Sequence, residues 1–230
     1  MSDSAAPGAS YDGAGAVRAP MRLTRKPDRE RNTRVALDEL LDEVLVGTLS
    51  TVVDGWPHVV PMLFARDGDR VLLHGSTGAG ALRQVAAGAP AALCVTSLDG
   101  VVVAESTFES SANYRSAVIR GHLQTIDGDE AWRCLDLLSD RLIPGRTGEL
   151  SAMTRKQVAA TLTLALPIAD GDWLYKERDG DPGEPEEETD AWCGVVPLRM
   201  VAGAPITAPW SSQAPVPDSV RRLMAAWPAE

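Results

Sequence analysis

The strongest constraint on this chain is a change of hydrophobic period near residue 45. Beyond it the apolar residues stop recurring at helical spacing. They gather instead into short β-favouring runs: LVGTLSTVV, WPHVVPMLF and ARDGDRVLLH. Asp54-Gly55 and Asp67-Gly68-Asp69 punctuate these runs. Asp-Gly between β-rich segments is the strongest short hairpin signal, because a tight hairpin needs residues that tolerate positive φ. Pro57 and Pro61 lack the N–H that a ladder needs, so their strand is expected to be an edge, to be bulged, or to open onto a ligand.

The same pattern continues further on. PAALCVTSL and VVVAES read as a hairpin turning on Asp99-Gly100, and residues 115–126 as a long strand. Residues 158–168 and WCGVVPL add two more strands, for about eight short strands. Helices are few. Thr33 is a plausible N-cap for a helix over 34–44, whose stripe is Val35, Leu37, Leu40, Leu41 and Val44. A short helix is expected over 79–87 with Gly88 after it, and a longer one over 129–142 carrying Trp132, Leu135, Leu138 and Leu142 on one face. Thr154 is placed to cap a single turn, and residues 218–227 can form a terminal helix. Many short strands with tight turns and few helices predict a mainly β protein with flanking helices, built as an antiparallel barrel.

Residues 1–21, rich in Ala, Gly, Ser and Pro, are expected to be a disordered tail. The domain is expected over 22–200, with a Pro-rich extension at 201–230. A net charge of −10 argues against nonspecific nucleic-acid binding. No apolar run reaches the roughly 20 residues of a membrane helix, and no apolar signal region opens the chain. A cytoplasmic location without membrane contact is expected. Cys94, Cys134 and Cys193 are scattered, and so are His58, His74 and His122, so no metal site is expected.

The polar groups with chemistry in them sit at strand ends. Ser76-Thr77-Gly78 runs from a strand into a small-residue loop and a helix, with Arg83 one turn on. Backbone N–H groups at such a helix start favour an anion, and a plain capped loop is the alternative. His74 ends a strand as either a proton carrier or a satisfied rim residue. Glu105 shares strand parity with Val101 and Val103, as does Glu109 if extension continues; a carboxylate at an apolar pocket mouth can act as acid or base. Asn113-Tyr114-Arg115 could bind an anion or a ring edge, or anchor a subunit contact. Lys176 and Arg178 flank the acidic loop and could serve a ligand phosphate or pair with Glu184 to Glu188.

Residues 22–198 resemble the pyridoxamine 5′-phosphate oxidase-related, FMN-binding split-barrel family, in its flavin-nucleotide-binding branch related to nitroimidazole reductases. The resemblance is carried by Asp54-Gly55-Trp56-Pro57-His58-Val59-Val60-Pro61, Leu73-His74-Gly75-Ser76, Leu98-Asp99-Gly100 and Asn113-Tyr114-Arg115-Ser116. Ile143-Pro144-Gly145-Arg146, Leu166-Pro167-Ile168 and Trp192-Cys193-Gly194-Val195-Val196-Pro197-Leu198 complete it. It implies a six-stranded antiparallel Greek-key split β-barrel, a homodimer, and FMN in a groove between subunits. The function it implies is an FMN-dependent oxidoreductase acting on a small organic molecule. Ser76, Thr77, Gly78 and Arg83 would hold the phosphate. His74, Asn113, Tyr114, Arg115, Lys176 and Arg178 complete the expected cofactor set.

The departures from the family are specific. Ala79-Gly80 stands where relatives carry Ser-Arg on the flavin phosphate, Glu105 replaces an arginine, and Glu109-Ser110 replaces a histidine pair. Losing a charge-assisted phosphate contact costs about 1.5–3 kcal/mol, or about one to two decades of affinity. Two other functions therefore stand beside the first. One is a barrel without flavin, using Glu105 and Glu109 as general acid and base in the old cofactor groove. The other is a noncatalytic flavin- or haem-binding protein.

Overall fold

The computed structural model describes residues 21–228 apart from 24–25, 31–32, 54, 77–87 and 186. Nine strands form one antiparallel sheet: β1 (Val46–Val53), β2 (Trp56–Asp67), β3 (Arg70–Ser76), β4 (Pro90–Val103), β5 (Ser111–His122), β6 (Gln124–Ile126), β7 (Thr161–Pro167), β8 (Trp173–Arg178) and β9 (Gly194–Pro197). Their order is β6-β7-β3-β2-β1-β4-β5-β8, with β9 paired to β4. β5 and β7 approach one another without being sheet neighbours, and a Cβ on Gly121 would lie 3.2 Å from Leu166. The sheet thus curls into a barrel left open along one seam. β1–β5 and β7 make the six-stranded body, and the short β6, β8 and β9 extend its edges.

The turns explain the path. Val53 pairs with Trp56 and Asp67 with Arg70, so both predicted hairpins have two-residue loops, with Gly55 and Gly68 at positive φ. The proline-bearing half of β2 pairs only with β1, and β3 joins from Phe64 onward. Pro57 and Pro61 therefore sit on an edge, as their missing donors require.

Alternation along the strands separates two cores. Leu49, Phe64, Val71, Leu73, Leu93, Val95, Ile119, Leu164 and Leu166 point inward, where helix α1 (Arg34–Glu43) adds Leu37, Leu40 and Leu41 as a plug. Ala65, Leu72, Ile126 and Ala165 point outward beneath helix α2 (Gly128–Leu142), against its Ala131, Cys134, Leu135 and Leu138. Thr33 occupies the α1 N-cap position but makes no side-chain cap bond, and Val35 falls off the buried stripe. Thr154 does cap helix α3 (Arg155–Ala159), in a reciprocal box with Gln157.

Three expectations change. β4 runs straight through Asp99-Gly100, which is a bulge in its pairing with β5 rather than a hairpin turn. Gly100 is needed there for closeness: a Cβ would lie 3.1 Å from both Val195 Cγ1 and the Val196 carbonyl of β9. The predicted strand over 115–126 starts earlier, at Ser111, and breaks at Leu123 into β5 and β6. β8, over WLYKER, is an unpredicted strand beside β5. The expected tail lies outside the described residues, as does the helix over 79–87, although Gly88 has φ of 91°.

The C-terminal extension is docked. In helix α4 (Asp218–Ala226), Ser219 donates through its N and Oγ to Glu149, at 2.8 and 2.5 Å, and Arg222 Nε donates to the Pro144 carbonyl at 2.9 Å. Ala202 N bonds to Trp227 O at 2.7 Å, which draws residues 198–202 and 226–228 together. No described helix is long and apolar enough to cross a membrane.

Candidate functional site

The barrel interior turns polar at one end. Inward parity on β5 runs Ile119, Ala117, Arg115, and on β8 Trp173, Tyr175, Glu177, with Arg115 paired opposite Glu177. Arg115 is chelated on two sides: Nε and Nη2 reach Asp99 at 3.0 and 2.7 Å, and Nη1 and Nη2 reach Glu43 at 2.5 and 2.8 Å. Ser97 Oγ accepts a further bond at 3.3 Å. The bonds to Glu43 and then Asp99 raise the Arg115 pKa further above its already high value. At Asp99 burial works upward, but the bonds from Arg115 and Ser97 win and hold the carboxyl below its usual range. Tyr175 donates to Glu177 at 3.2 Å; burial, and then the Glu177 charge, push its phenol up to about 12.

This mouth opens into a cavity of about 1090 Å³. Glu43, Asp99, Arg115, Glu177 and Arg178 supply charge, while Val46, Leu98, Leu198 and Met200 supply apolar surface beneath the C-terminal strap. Of the sequence-predicted residues, Arg115 and Arg178 line it. Arg178 Nη1 donates to Asn113 Oδ1 at 2.5 Å, and the buried Asn113 returns Nδ2 to the Gly180 carbonyl at 3.0 Å. Asn113 and Arg115 are thus tied to protein partners: they pin β8, the following loop and α1 to β5. Tyr114 and Lys176 face the other way, with the ammonium 5.2 Å from the ring centre, a cation–π contact.

Tyr114 lies on the outer face of the sheet. There Pro61, Thr48, Cys94, Val118 and Leu174 stand side by side across five strands. Val46, Val52, Val59, Leu63 and Leu98 are exposed around them. An exposed apolar face of this extent marks a contact surface. Val46 and Leu98 also line the large cavity, so the cavity opens onto this face.

His74 is elsewhere. It lies two residues before the end of β3, opposite Thr163 of β7, and the last residue, Ser76, pairs with Thr161. The imidazole is exposed in the single chain, yet burial of part of its surface lowers its pKa. Neither His74 nor Ser76 lines the large cavity. Thr77, Gly78, Ala79, Gly80 and Arg83 lie outside the described residues. Glu105 and Glu109 follow the end of β4, where extension stops: Ser106 O accepts from Ser110 N, and Ser106 Oγ from Glu109 N, in a turn. Glu109 therefore does not continue the parity of Glu105, and neither residue lines either cavity.

A third cluster escaped the sequence reading. Asp67, Glu130 and Cys134 bring their ligand atoms within 4.8 Å of one another. Arg70 and Arg133 fill it instead: Arg133 Nη2 lies 2.5 Å from Asp67 and 2.9 Å from Glu130, and Arg70 bonds to both carboxylates. The Arg133 bond first, then that of Arg70, holds Glu130 down to about 2. These groups fasten the β2–β3 turn to α2.

The split barrel, its α1 plug and its apolar outer sheet define a class of β-barrel protein. The chain belongs to the pyridoxamine 5′-phosphate oxidase family, whose sequence profile matches residues 33–172. The solved FAD and heme binding protein from Mycobacterium smegmatis is 49% identical, covering 85% of this chain and 97% of that one with a TM-score of 0.83. The flavocytochrome Anf3 from Azotobacter vinelandii is 28% identical, covering 87% of this chain and 94% of that one, with a TM-score of 0.80. A protein from Bacteroides thetaiotaomicron, proposed as a 5-nitroimidazole antibiotic resistance protein, shares the fold at 16% identity, covering 64% and 86%, with a TM-score of 0.55. No curated protein matches the chain.

Proposed function

We propose that this chain is a flavin-dependent redox protein that binds FAD and haem and works as a homodimer. The observation that carries the reading is the 49% identity, over 97% of its length, to a protein described as binding FAD and heme. The likeness to a flavocytochrome at 28% identity supports it. FAD replaces the FMN of the sequence-based expectation for that reason. A bound flavin would supply two-electron chemistry and a haem iron one-electron chemistry.

The residues of the described structure fit these groups. His74 is exposed and makes no hydrogen bond within the described residues, and partial burial lowers its pKa, which favours the neutral imidazole that ligates iron. His122 differs, since its Nδ1 is engaged with the Gly88 carbonyl at 2.6 Å. His74 is accordingly the proposed iron ligand. The apolar outer sheet face suits a second copy of the chain, and Tyr114 and Lys176 on it are placed for a flavin ring edge or phosphate. The large cavity opening onto that face is the proposed place for a small organic substrate, with Arg115 acting from within the wall to keep its shape. Asn113 and Arg115 hold protein groups in this reading rather than the cofactor.

The test is chromatography of what denaturation releases from the purified full chain. FAD in excess over FMN, together with haem, is the expected result. Release of neither flavin nor haem overturns the reading.

A further inference from the structure

The turn between β4 and β5 holds a phenylalanine in water. Phe108 is 90% exposed, on a turn that is itself well bonded. Ser110 N and Oγ both donate to the Ser106 carbonyl, at 3.1 and 2.8 Å. Ser106 Oγ accepts from Glu109 N at 3.2 Å, and Ser110 Oγ accepts from Ala104 N at 3.1 Å. These bonds fix the backbone on both sides of Phe108, so the turn presents the ring rather than tucking it in. Trp192 stands at the same end of the sheet and is 64% exposed. A Cβ on Gly194 would lie 2.8 Å from its Cζ2, so the indole lies over Gly194, which pairs with Val103 at the end of β4. Phe108 and Trp192 line neither the large cavity nor a smaller one between α2, α3 and β7. Aromatic rings held out in this way are the usual anchors of a protein contact, because they bury a large area at little cost in side-chain freedom.

The topology sets a rim of one charge around these rings. β8 ends beside Tyr114 of β5, and β9 begins beside Val103 of β4. The connection over 179–193 therefore passes round the end of the β4–β5 hairpin, and the bond from Asn113 Nδ2 to the Gly180 carbonyl fastens its start there. It carries the acidic run over 184–190, and the turn adds Glu105 and Glu109. Residues 104–112 and 179–198 hold nine of the chain's 32 acidic residues and no Lys or Arg. The remaining acids outnumber the 22 bases by one, so nearly all of the net charge of −10 belongs to this end. Glu109, Glu184, Glu187, Glu188 and Asp190 are exposed and make no ion pair among the described residues. An apolar centre within a charged rim is the anatomy of a protein interface, and a rim of one sign selects a partner of the other. A second copy meeting itself here would bring the same acids into contact, which the repulsion of like charges opposes. We propose that this end of the sheet docks a basic protein surface, one that sets an apolar residue among lysines or arginines. Phe108 is the central anchor, Trp192 the second, and the acids steer the approach and fix the register. The inference is independent of the flavin reading.

The experiment measures binding of a labelled peptide, Lys-Lys-Lys-Leu-Leu-Lys-Lys-Lys, to the full chain by fluorescence anisotropy, beside a control in which serine replaces both leucines. F108S and E105Q/E109Q are compared with the unaltered chain, each checked for folding by its thermal melt. F108S is expected to weaken the leucine peptide by about tenfold, the scale of one large apolar side chain, and the serine peptide by less than about twofold. E105Q/E109Q is expected to weaken both peptides by about fivefold at low salt, a difference that salt at about 0.3 M removes. Failure of the unaltered chain to bind the leucine peptide, or equal binding by folded F108S, overturns the proposal. So does displacement of the leucine peptide by spermidine at equal total charge, which would leave charge attraction alone. Self-association of the unaltered chain that F108S abolishes, in place of peptide binding, would assign the surface to a second copy and overturn it as well.

Discussion

The barrel mouth and the end of β3 are both polar, and they are built in opposite ways. At the mouth every charge has a protein partner: Arg115 alone binds Glu43, Asp99 and Ser97, and Asn113 is bonded to Arg178 and Gly180. At the end of β3, His74 makes no hydrogen bond among the described residues, and the Thr163 hydroxyl opposite it is an orphan among them. Groups with full internal partners fix the backbone, and groups without them are free to take a ligand. The NYRS motif, which draws the eye in the sequence, belongs mainly to the first kind.

Substitutions can break this contrast. The largest effect is expected for R115A, which leaves Glu43 and Asp99 facing one another without their shared cation. Removing one member of a buried pair costs about 3–5 kcal/mol; these side chains are a quarter to a half exposed, so about 2 kcal/mol is expected. Urea melts of R115A and R115K measure it, and a loss below about 0.5 kcal/mol would remove the structural role given to Arg115.

Next is the alkaline limb of stability. The Tyr175 phenol titrates near 12 when folded and near its ordinary value of about 10 when unfolded. Its neutral form is therefore favoured by the fold, and that stability is present below pH 10 and lost as pH rises from about 10 to 12. Y175F should flatten the melting temperature across that window. An unchanged slope contradicts the assignment. Asp99 gives the opposite sign: its lowered pKa means stability present above the ordinary carboxylate range and lost on acidification through the folded value, a loss D99N should not show.

The smallest effect on stability is expected for H74A, within about 0.5 kcal/mol because the side chain is exposed and unbonded. An apolar-face charge such as V59K is likewise expected to spare the monomer fold, but it should shift the proposed dimer to monomer in sedimentation. A V59K chain that remains dimeric would place the contact elsewhere.

How much of this was legible in the sequence depends on range. The two Asp-Gly hairpins and the Thr154 cap are local and read correctly; the α1 and α2 stripes read in part, since Val35 is exposed and the buried face of α2 is Ala131, Cys134, Leu135 and Leu138 rather than Trp132 and Leu142. Asp99-Gly100 carries the same dipeptide and is a bulge, because β4 needs to continue into its pairing with β9. β8 was hidden because Trp173 and Tyr175 face inward while Lys176 and Arg178, beside an acidic loop, look like solvent residues. The large cavity was not legible, since its lining comes from six separated stretches between Glu43 and Pro228. Thr163 gave no signal either: an orphan hydroxyl exists only once its neighbours are placed.

The contrast between the two polar regions is tested most directly by the visible spectrum of purified H74A beside that of the unaltered chain. The account predicts a flavin band and a haem Soret band in the unaltered chain, with the Soret band lost or shifted in H74A while the flavin band and the melting temperature stay in place. A Soret band unchanged in H74A, or absent from both proteins, would contradict it.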